Sequence, residues 1–291
     1  MNAFAPNAHS AASADRVAAF FDLDGTLLPL PSLERRFLNT LRARRAIPAE
    51  NYLLWLAQTI RLATNGINAV AHANKTYLRN VSVKQWDFLP SSTDTPVCAP
   101  VSENRTASAK ATRDKFPAFF PDAIDRITWH AARRHAIVLV TGTLAPLASE
   151  AALALTLRLI ARGITTSIAV CATQLEEVNH LWTGRIVGES MFGPAKVRAM
   201  RRLAAKNNFD LAQSYAYGDS TNDRWMLGGV GQPAAVNPSR ELERIARLRN
   251  WPILSWKEHN PQHAGASAPC EQPTNCVSGK FVPRMKTESL G

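Results

Sequence analysis

An apolar run, Val17-Ala18-Ala19-Phe20-Phe21, ends in Asp22-Leu23-Asp24-Gly25-Thr26. The run has the character of a buried strand. Residues i and i+2 of a strand point to the same side, so two carboxylates share one side where the strand stops. Gly25 lets the chain turn sharply straight afterwards. In open α/β sheets, ligands bind outside the carboxyl ends of the strands. Two acids there suit a hard cation and a nucleophile, although an isolated pair of this kind also serves simply to cap a turn.

Three pieces further along repeat the theme. Ile137 to Val140 is an apolar run that delivers Thr141-Gly142-Thr143. Leu144 to about Ile160 then reads as a helix, with Pro146 in its first turn. Leu144, Leu147, Ala151, Leu155 and Leu159 give it an apolar stripe. This places the Thr-Gly-Thr segment at a helix N-terminus, which attracts phosphate. Next, Gly193-Pro194-Ala195-Lys196 opens another helix. Finally, Ser214 to Gly218 reads as a strand ending in Asp219, with Asp223 four residues on. That spacing lets Asp219 and Asp223 face one spot.

With these four pieces in this order, the chain resembles the haloacid dehalogenase superfamily of phosphotransferases, over roughly Val17 to Trp256. The motifs are Asp22-Leu23-Asp24-Gly25-Thr26, Thr141-Gly142-Thr143, Lys196, and Gly218-Asp219-Ser220-Thr221-Asn222-Asp223. The long interval between Asp22 and Thr141 is similar to the phosphoserine-phosphatase-like branch, where a helical cap follows the first motif. The stretch Leu181 to Val187 before Phe192-Gly193-Pro194-Ala195-Lys196 also resembles that branch, where a hairpin precedes the lysine. The resemblance implies an α/β fold: a Rossmann-like parallel sheet with helices on both faces, plus an inserted, mainly helical cap.

It also implies a chemistry. Asp22 becomes the covalent nucleophile, forming an aspartyl-phosphate. Asp24 protonates the leaving oxygen and then deprotonates the attacking water. Mg2+ keeps several waters and needs few protein oxygens. Asp22, Asp219 and the backbone carbonyl of Asp24 supply them, while Asp223 holds a metal-bound water or Lys196. Lys196, Thr141, Gly142 and Asn222 bind the phosphoryl oxygens. An acid two residues after the nucleophile resembles phosphatases and phosphomutases of the superfamily rather than its dehalogenases or transport ATPases. The expected function is therefore Mg2+-dependent phosphomonoester hydrolysis. Transfer to an acceptor other than water and non-catalytic anion binding remain open alternatives.

The alternation of strands and helices divides the chain as follows. Residues 1–15 read as a disordered leader without the basic start or apolar stretch of a secretory signal. Residues 16–31 and 119–256 form the core, 32–118 the cap, and 257–291 a disordered polar tail. Helices are expected at Leu33–Arg45, Tyr52–Thr64, Ala69 to about Leu78, Pro121–Arg134, Pro194–Lys206 and Pro238–Arg247. Further strands are expected at Ala136–Thr141 and Thr166–Cys171, a hairpin near Glu177–Val187, and an edge strand at Pro252-Ile253-Leu254. The stretch 86–115 has prolines at 90, 96 and 100 and no helical stripe, which sits badly with a helical cap.

Composition adds boundaries. No apolar run approaches the roughly 20 residues needed to span a bilayer. Among the cysteines, Cys171 falls in an apolar strand, whereas Cys98, Cys270 and Cys276 show no tight metal spacing. The expected setting is the cytoplasm. The formal net charge of +11 is spread over scattered arginines, with no recognisable nucleic-acid module. No specific nucleic-acid partner is expected, and weak contact with an anionic membrane surface stays open. Oligomeric state is not legible.

The expected partner is a small-molecule phosphomonoester. In phosphoserine phosphatases an acidic residue in the loop after the first motif helps read the substrate's amino group. Here that loop, Leu28 to Glu34, is apolar and rich in proline, and Glu34 is displaced. Tyr52, Trp55 and Leu56 read either as the lining of an apolar cap, suiting a larger or lipid-like ester, or as cap core.

Overall fold

The computed structural model describes residues 16–63, 74–82 and 117–258. The leader 1–15, the stretch 86–115 and nearly all of the tail 257–291 lie outside the described residues, as do Cys98, Cys270 and Cys276. Six strands form one sheet: β1 (Ala18–Phe21), β2 (Ala136–Leu144), β3 (Ile168–Thr173), β6 (Tyr215–Gly218), β7 (Gln232–Val236) and β8 (Ile253–Leu254). Their order is β3-β2-β1-β6-β7-β8, and every pairing is parallel. The chain moves outward from β1 through β2 to β3, then crosses to the other side of β1. This reversal is the switch point at which such sheets bind ligands.

Both faces are covered, which explains why the strands read as unbroken apolar runs rather than alternating ones. Ala19, Phe21, Ile137, Leu139 and Tyr217 turn to one core, with Ile124 and Ile127 of α3 (Pro121–Ala132) and Leu147, Ala151 and Leu155 of α4 (Ala145–Ile160). Ala18, Phe20, Val138, Val140 and Ala216 turn to the other. They meet Met200 of α5 (Pro194–Asn207), Leu227 of α6 (Arg224–Leu227) and Leu242 of α7 (Arg240–Leu248). Successive residues of one strand thus serve opposite cores.

The sheet contains an element that the alternation pattern missed. β7 is Gln232-Pro233-Ala234-Ala235-Val236, poor in β-branched residues and containing proline. The Gln232 N–H donates to Ser214 of the neighbouring chain segment, so the proline nitrogen turns the other way. There β8 pairs only with Ala235 and Val236. No ladder bond is lost, and the proline is tolerated inside a sheet.

The inserted segment begins with α1 (Leu33–Ala43) and α2 (Ala49–Ala63). The helix expected over Ala69 to Leu78 is, in its described part, a single 3-10 turn at Thr76–Leu78; its earlier residues lie outside the described ones. The turn packs on the hairpin formed by β4 (Leu175–Val178) and β5 (Leu181–Ile186). Asn80 N–H donates to Trp182 C=O at 2.8 Å, and Trp182 N–H donates to Val81 C=O at 3.1 Å. The hairpin turn, Asn179-His180, has positive φ at both positions, the two-residue turn that matches strand twist. Tyr52, Trp55 and Leu56 are exposed on α2 and are not buried cap core. Cys171 is half-buried on β3 beside the second core.

Candidate active site

Three neighbouring strands, β2, β1 and β6, bring their carboxyl ends to one edge. Asp22 leaves β1 there, its N–H donating to Tyr217 C=O on β6 at 2.9 Å. The next residues form a tight loop: Leu27 and Leu28 N–H both donate to Leu23 C=O, and Gly25 N–H donates to Leu28 C=O at 2.7 Å. Gly25 has φ +88°, and a Cβ there would lie 2.2 Å from Asp219 Oδ2. Only glycine lets this loop press against Asp219.

Asp22, Asp219 and Asp223 come together, each offering a carboxylate oxygen within 4.8 Å of the others. Lys196, in the first turn of α5, is buried against them. Its ammonium donates to Asp22 Oδ1 at 2.6 Å and to Asp223 Oδ1 at 2.5 Å. Asp223 is held in turn by Ser220, whose N–H and hydroxyl both donate to Oδ2. Thr26 hydroxyl donates to Asp219 Oδ1 at 3.3 Å.

One cation therefore faces two buried carboxylates, Asp22 and Asp223, and the half-buried Asp219, and the acids show it. Burial pushes the Asp22 carboxyl up to about 7; Lys196 pulls it down, and Asp223 adds repulsion. Burial and the charges of Asp22 and Asp223 push Asp219 up to about 9. Burial alone would lower the Lys196 ammonium, but the two carboxylates override it and raise it. Such a concentration of hard oxygen donors with unmet negative charge fits a small divalent cation such as Mg2+. Asp22, Asp219 and Asp223 are the side chains able to hold it or its waters.

Asp24 plays a separate part. Its Oδ1 accepts from Leu33 N–H at 2.8 Å, and its Oδ2 accepts from the Thr143 hydroxyl. Its carboxylate is thus engaged by groups outside the three-acid cluster. Burial raises its pKa, partly offset by those two hydrogen bonds, and the Glu34 charge raises it further.

Thr141 to Thr143 are not in a helix N-terminus, as their sequence suggested, but in the last residues of β2, whose pairing with β3 shifts register between Val140 and Leu144. α4 starts at Ala145. The Thr141 hydroxyl accepts from Thr143 N–H at 3.2 Å, and Gly142 C=O accepts from the Thr173 hydroxyl at 2.8 Å. A Cβ at Gly142 would strike the Phe192 ring at 2.1 Å. Asn222 is half-buried, its Oδ1 3.9 Å from the position a Cβ on Gly193 would take, so it borders the start of α5.

Thr26, Thr143 and Ser220, which orient Asp219, Asp24 and Asp223, carry no distinct functional signal in the sequence. Each stands within a motif already picked out, so proximity to an acid was the available signal. Glu34 stands out as an acid in the loop after the first motif, but its partners Lys75 and Tyr77, 41 and 43 residues away, leave no such signal.

The chain is similar to known proteins over most of its length. The haloacid dehalogenase-like hydrolase family matches residues 19–228. A probable phosphatase of Mycobacterium tuberculosis is 30% identical over 249 residues, covering 83% of this chain and 76% of the relative. The inhibition of morphological differentiation protein of Streptomyces azureus is 30% identical over 254 residues, covering 86% and 81%. A solved structure of a protein of unknown function from Bordetella pertussis superposes with a TM-score of 0.57 at 26% identity, covering 83% of this chain and 99% of that one. With the motifs and sheet order described above, the chain belongs to the haloacid dehalogenase-like hydrolase family.

Proposed function

We propose that this protein is a Mg2+-dependent phosphomonoesterase working through an aspartyl-phosphate on Asp22. The observation that carries this reading is the Lys196 ammonium bridging Asp22 and Asp223, with Asp219 close by. A carboxylate beside a fixed cation can approach an anionic phosphate; one without it is repelled. Mg2+ would supply further neutralisation of the phosphoryl charge, held by Asp22, Asp219, the Asp24 carbonyl and, directly or through water, Asp223.

In the first step an Asp22 oxygen bonds to phosphorus, and the bond from phosphorus to the ester oxygen breaks. Asp24 gives its proton to the departing alkoxide, and its raised pKa favours carrying that proton. In the second step Asp24 takes a proton from water as that water attacks phosphorus. Phosphate leaves and Asp22 is regenerated. Thr141, Gly142, Lys196 and Asn222 bind the phosphoryl oxygens, and Thr143 and Leu33 N–H hold Asp24 in place. Positioning and charge carry such a reaction because phosphoryl transfer has a loose transition state.

We assign residues 32–118 to a cap over this centre and the protein to the cytoplasm. Among the described residues no helix is long and apolar enough to cross a membrane. The substrate is a small or lipid-like phosphomonoester; the exposed Tyr52, Trp55 and Leu56 of α2 favour apolar leaving groups. The relative named a probable phosphatase supports the reaction class.

The test is phosphate release from a panel of phosphomonoesters, with and without Mg2+, by wild type and Asp22→Asn. Mg2+-dependent turnover that disappears in Asp22→Asn is expected. Folded protein that binds Mg2+ but turns over no ester would instead establish an anion-binding protein, and product that depends on an added alcohol would establish a transferase.

A further inference from the structure

Glu34 sits one residue beyond Leu33, whose N–H holds Asp24. Its Oε1 accepts from the ammonium of Lys75 and from the Tyr77 hydroxyl, the latter at 2.6 Å. Lys75 and Tyr77 come from the turn at Thr76–Leu78. Lys75 is 3% exposed, the Glu34 side chain 19%. The turn carrying Lys75 is fixed from two sides. Asn51 of α2 donates through Nδ2 to Tyr77 C=O at 3.1 Å and to Arg79 C=O at 2.6 Å. β5 presses from the other side, where a Cβ on Gly184 would lie 3.0 Å from Thr76 Cα.

A buried lysine needs its counter-charge, and removing one member of such a pair strands the other. Glu34 is therefore a carboxylate whose charge is already matched, near the residue assigned to the leaving group. Its field reaches that residue, since Glu34 raises the Asp24 pKa. A substrate bearing an ammonium group on its alcohol would look to Glu34 for a partner. It would find Lys75 in that place and would have to displace it into a dry environment without compensation.

We infer that Lys75, by neutralising Glu34, withholds that carboxylate from a substrate ammonium and so selects phosphomonoesters of uncharged alcohols over those of amino alcohols. This rests on the phosphatase reading and names a substrate class within it. Lys75 is a specificity-determining residue that does not touch the reacting atoms. Tyr77 completes the pair: burial and Glu34 keep its phenol protonated, so it remains a donor to Glu34.

The experiment compares ethylene glycol phosphate with phosphoethanolamine, two esters that differ in a hydroxyl against an ammonium. Wild type should favour the former in kcat/KM. Lys75→Met frees the Glu34 charge and should shift the ratio toward phosphoethanolamine by about tenfold or more, mainly through KM, as expected for a regained charge-assisted bond. The double variant Glu34→Gln/Lys75→Met buries no charge, should fold, and should show no amine preference. An unshifted ratio in Lys75→Met with both rates reduced would assign Lys75 a purely structural role and overturn the inference. So would a wild type that already prefers phosphoethanolamine, or a double variant that gains the preference. p-Nitrophenyl phosphate turnover by wild type serves as the control. Its absence overturns the phosphatase reading together with this one, whereas its presence with an unshifted ratio overturns this one alone.

Discussion

Lowering the pH from 7.5 to 5 should cost this protein about 2 kcal/mol of stability through His130 alone. The ring is fully buried on α3. Nε2 lies 2.9 Å from the Tyr217 hydroxyl and Nδ1 lies 2.8 Å from His135 Nδ1. The rings of Phe21, Trp129 and Tyr215 surround it. Burial first, then the positive fields of His135, Arg126 and Arg133, lower its pKa to about 3. Burial pushes the Tyr217 phenol up to about 12, so it stays protonated and offers no anion to offset a charged imidazole. The sign follows from proton binding. Below about 6.5 the unfolded chain takes up a proton that the folded chain refuses. His130 therefore contributes stability that is complete above pH 6.5 and is lost as pH falls toward 3. At pH 5 the unfolded residue is about 97% protonated, and the linkage integral from pH 7.5 comes to about 2 kcal/mol. The assay is urea unfolding at both pH values for wild type and His130→Gln. Glutamine cannot titrate, so the variant should lose about 2 kcal/mol less between the two pH values, whatever its own offset. Making both measurements in a His135→Gln background removes the titration of the ring that touches His130, and the acids of the active site are present in both proteins and cancel. Equal losses within about 0.5 kcal/mol would refute the reasoning.

Lys196→Met should abolish turnover and destabilise the fold by about 3–5 kcal/mol, because it strands buried carboxylates; the loss should grow as pH rises and those acids ionise, which thermal melts at several pH values will check. Mg2+ binding near pH 7 should release between one and two protons, since the Asp219 carboxyl is pushed up to about 9 and that of Asp22 to about 7, and both would face the ion. Titration calorimetry in buffers of different ionisation enthalpy reads this directly, and heats that do not depend on the buffer would count against it. Gly25→Ala should weaken Mg2+ affinity and cost about 1–3 kcal/mol, because its Cβ would lie 2.2 Å from Asp219 Oδ2 at a positive φ. Gly142→Ala should raise KM for phosphate esters, because its Cβ would strike Phe192; an unchanged KM in a folded variant would remove Gly142 from the phosphate site.

Much of the site is written locally. Asp22 and Asp24 lie at strand spacing after an apolar run, and Asp219 and Asp223 at the spacing of one helical turn. Both are short-range patterns, so the chain shows them without its fold. The stripe Leu147, Ala151, Leu155 and Leu159 is legible for the same reason, and all four are buried on α4. β7 was not legible: its proline and alanines carry no strand signal, and it becomes a strand only because β6 and β8 flank it.

Other features are decided solely by which strands become neighbours. Lys196 meets Asp22 across 174 residues because β2 and β1 are neighbours in the sheet and α5 packs on β2 and on α6, which follows β6. Thr143 reaches Asp24 across 119 residues because β2 lies on the other side of β1. Lys75, an ordinary lysine in sequence, becomes a buried partner of Glu34 only once the Thr76–Leu78 turn is pinned by α2 and the hairpin. Periodicity along a chain reports which face of an element is apolar. It carries no information about which element will lie against that face, and long-range charge pairs depend on that alone.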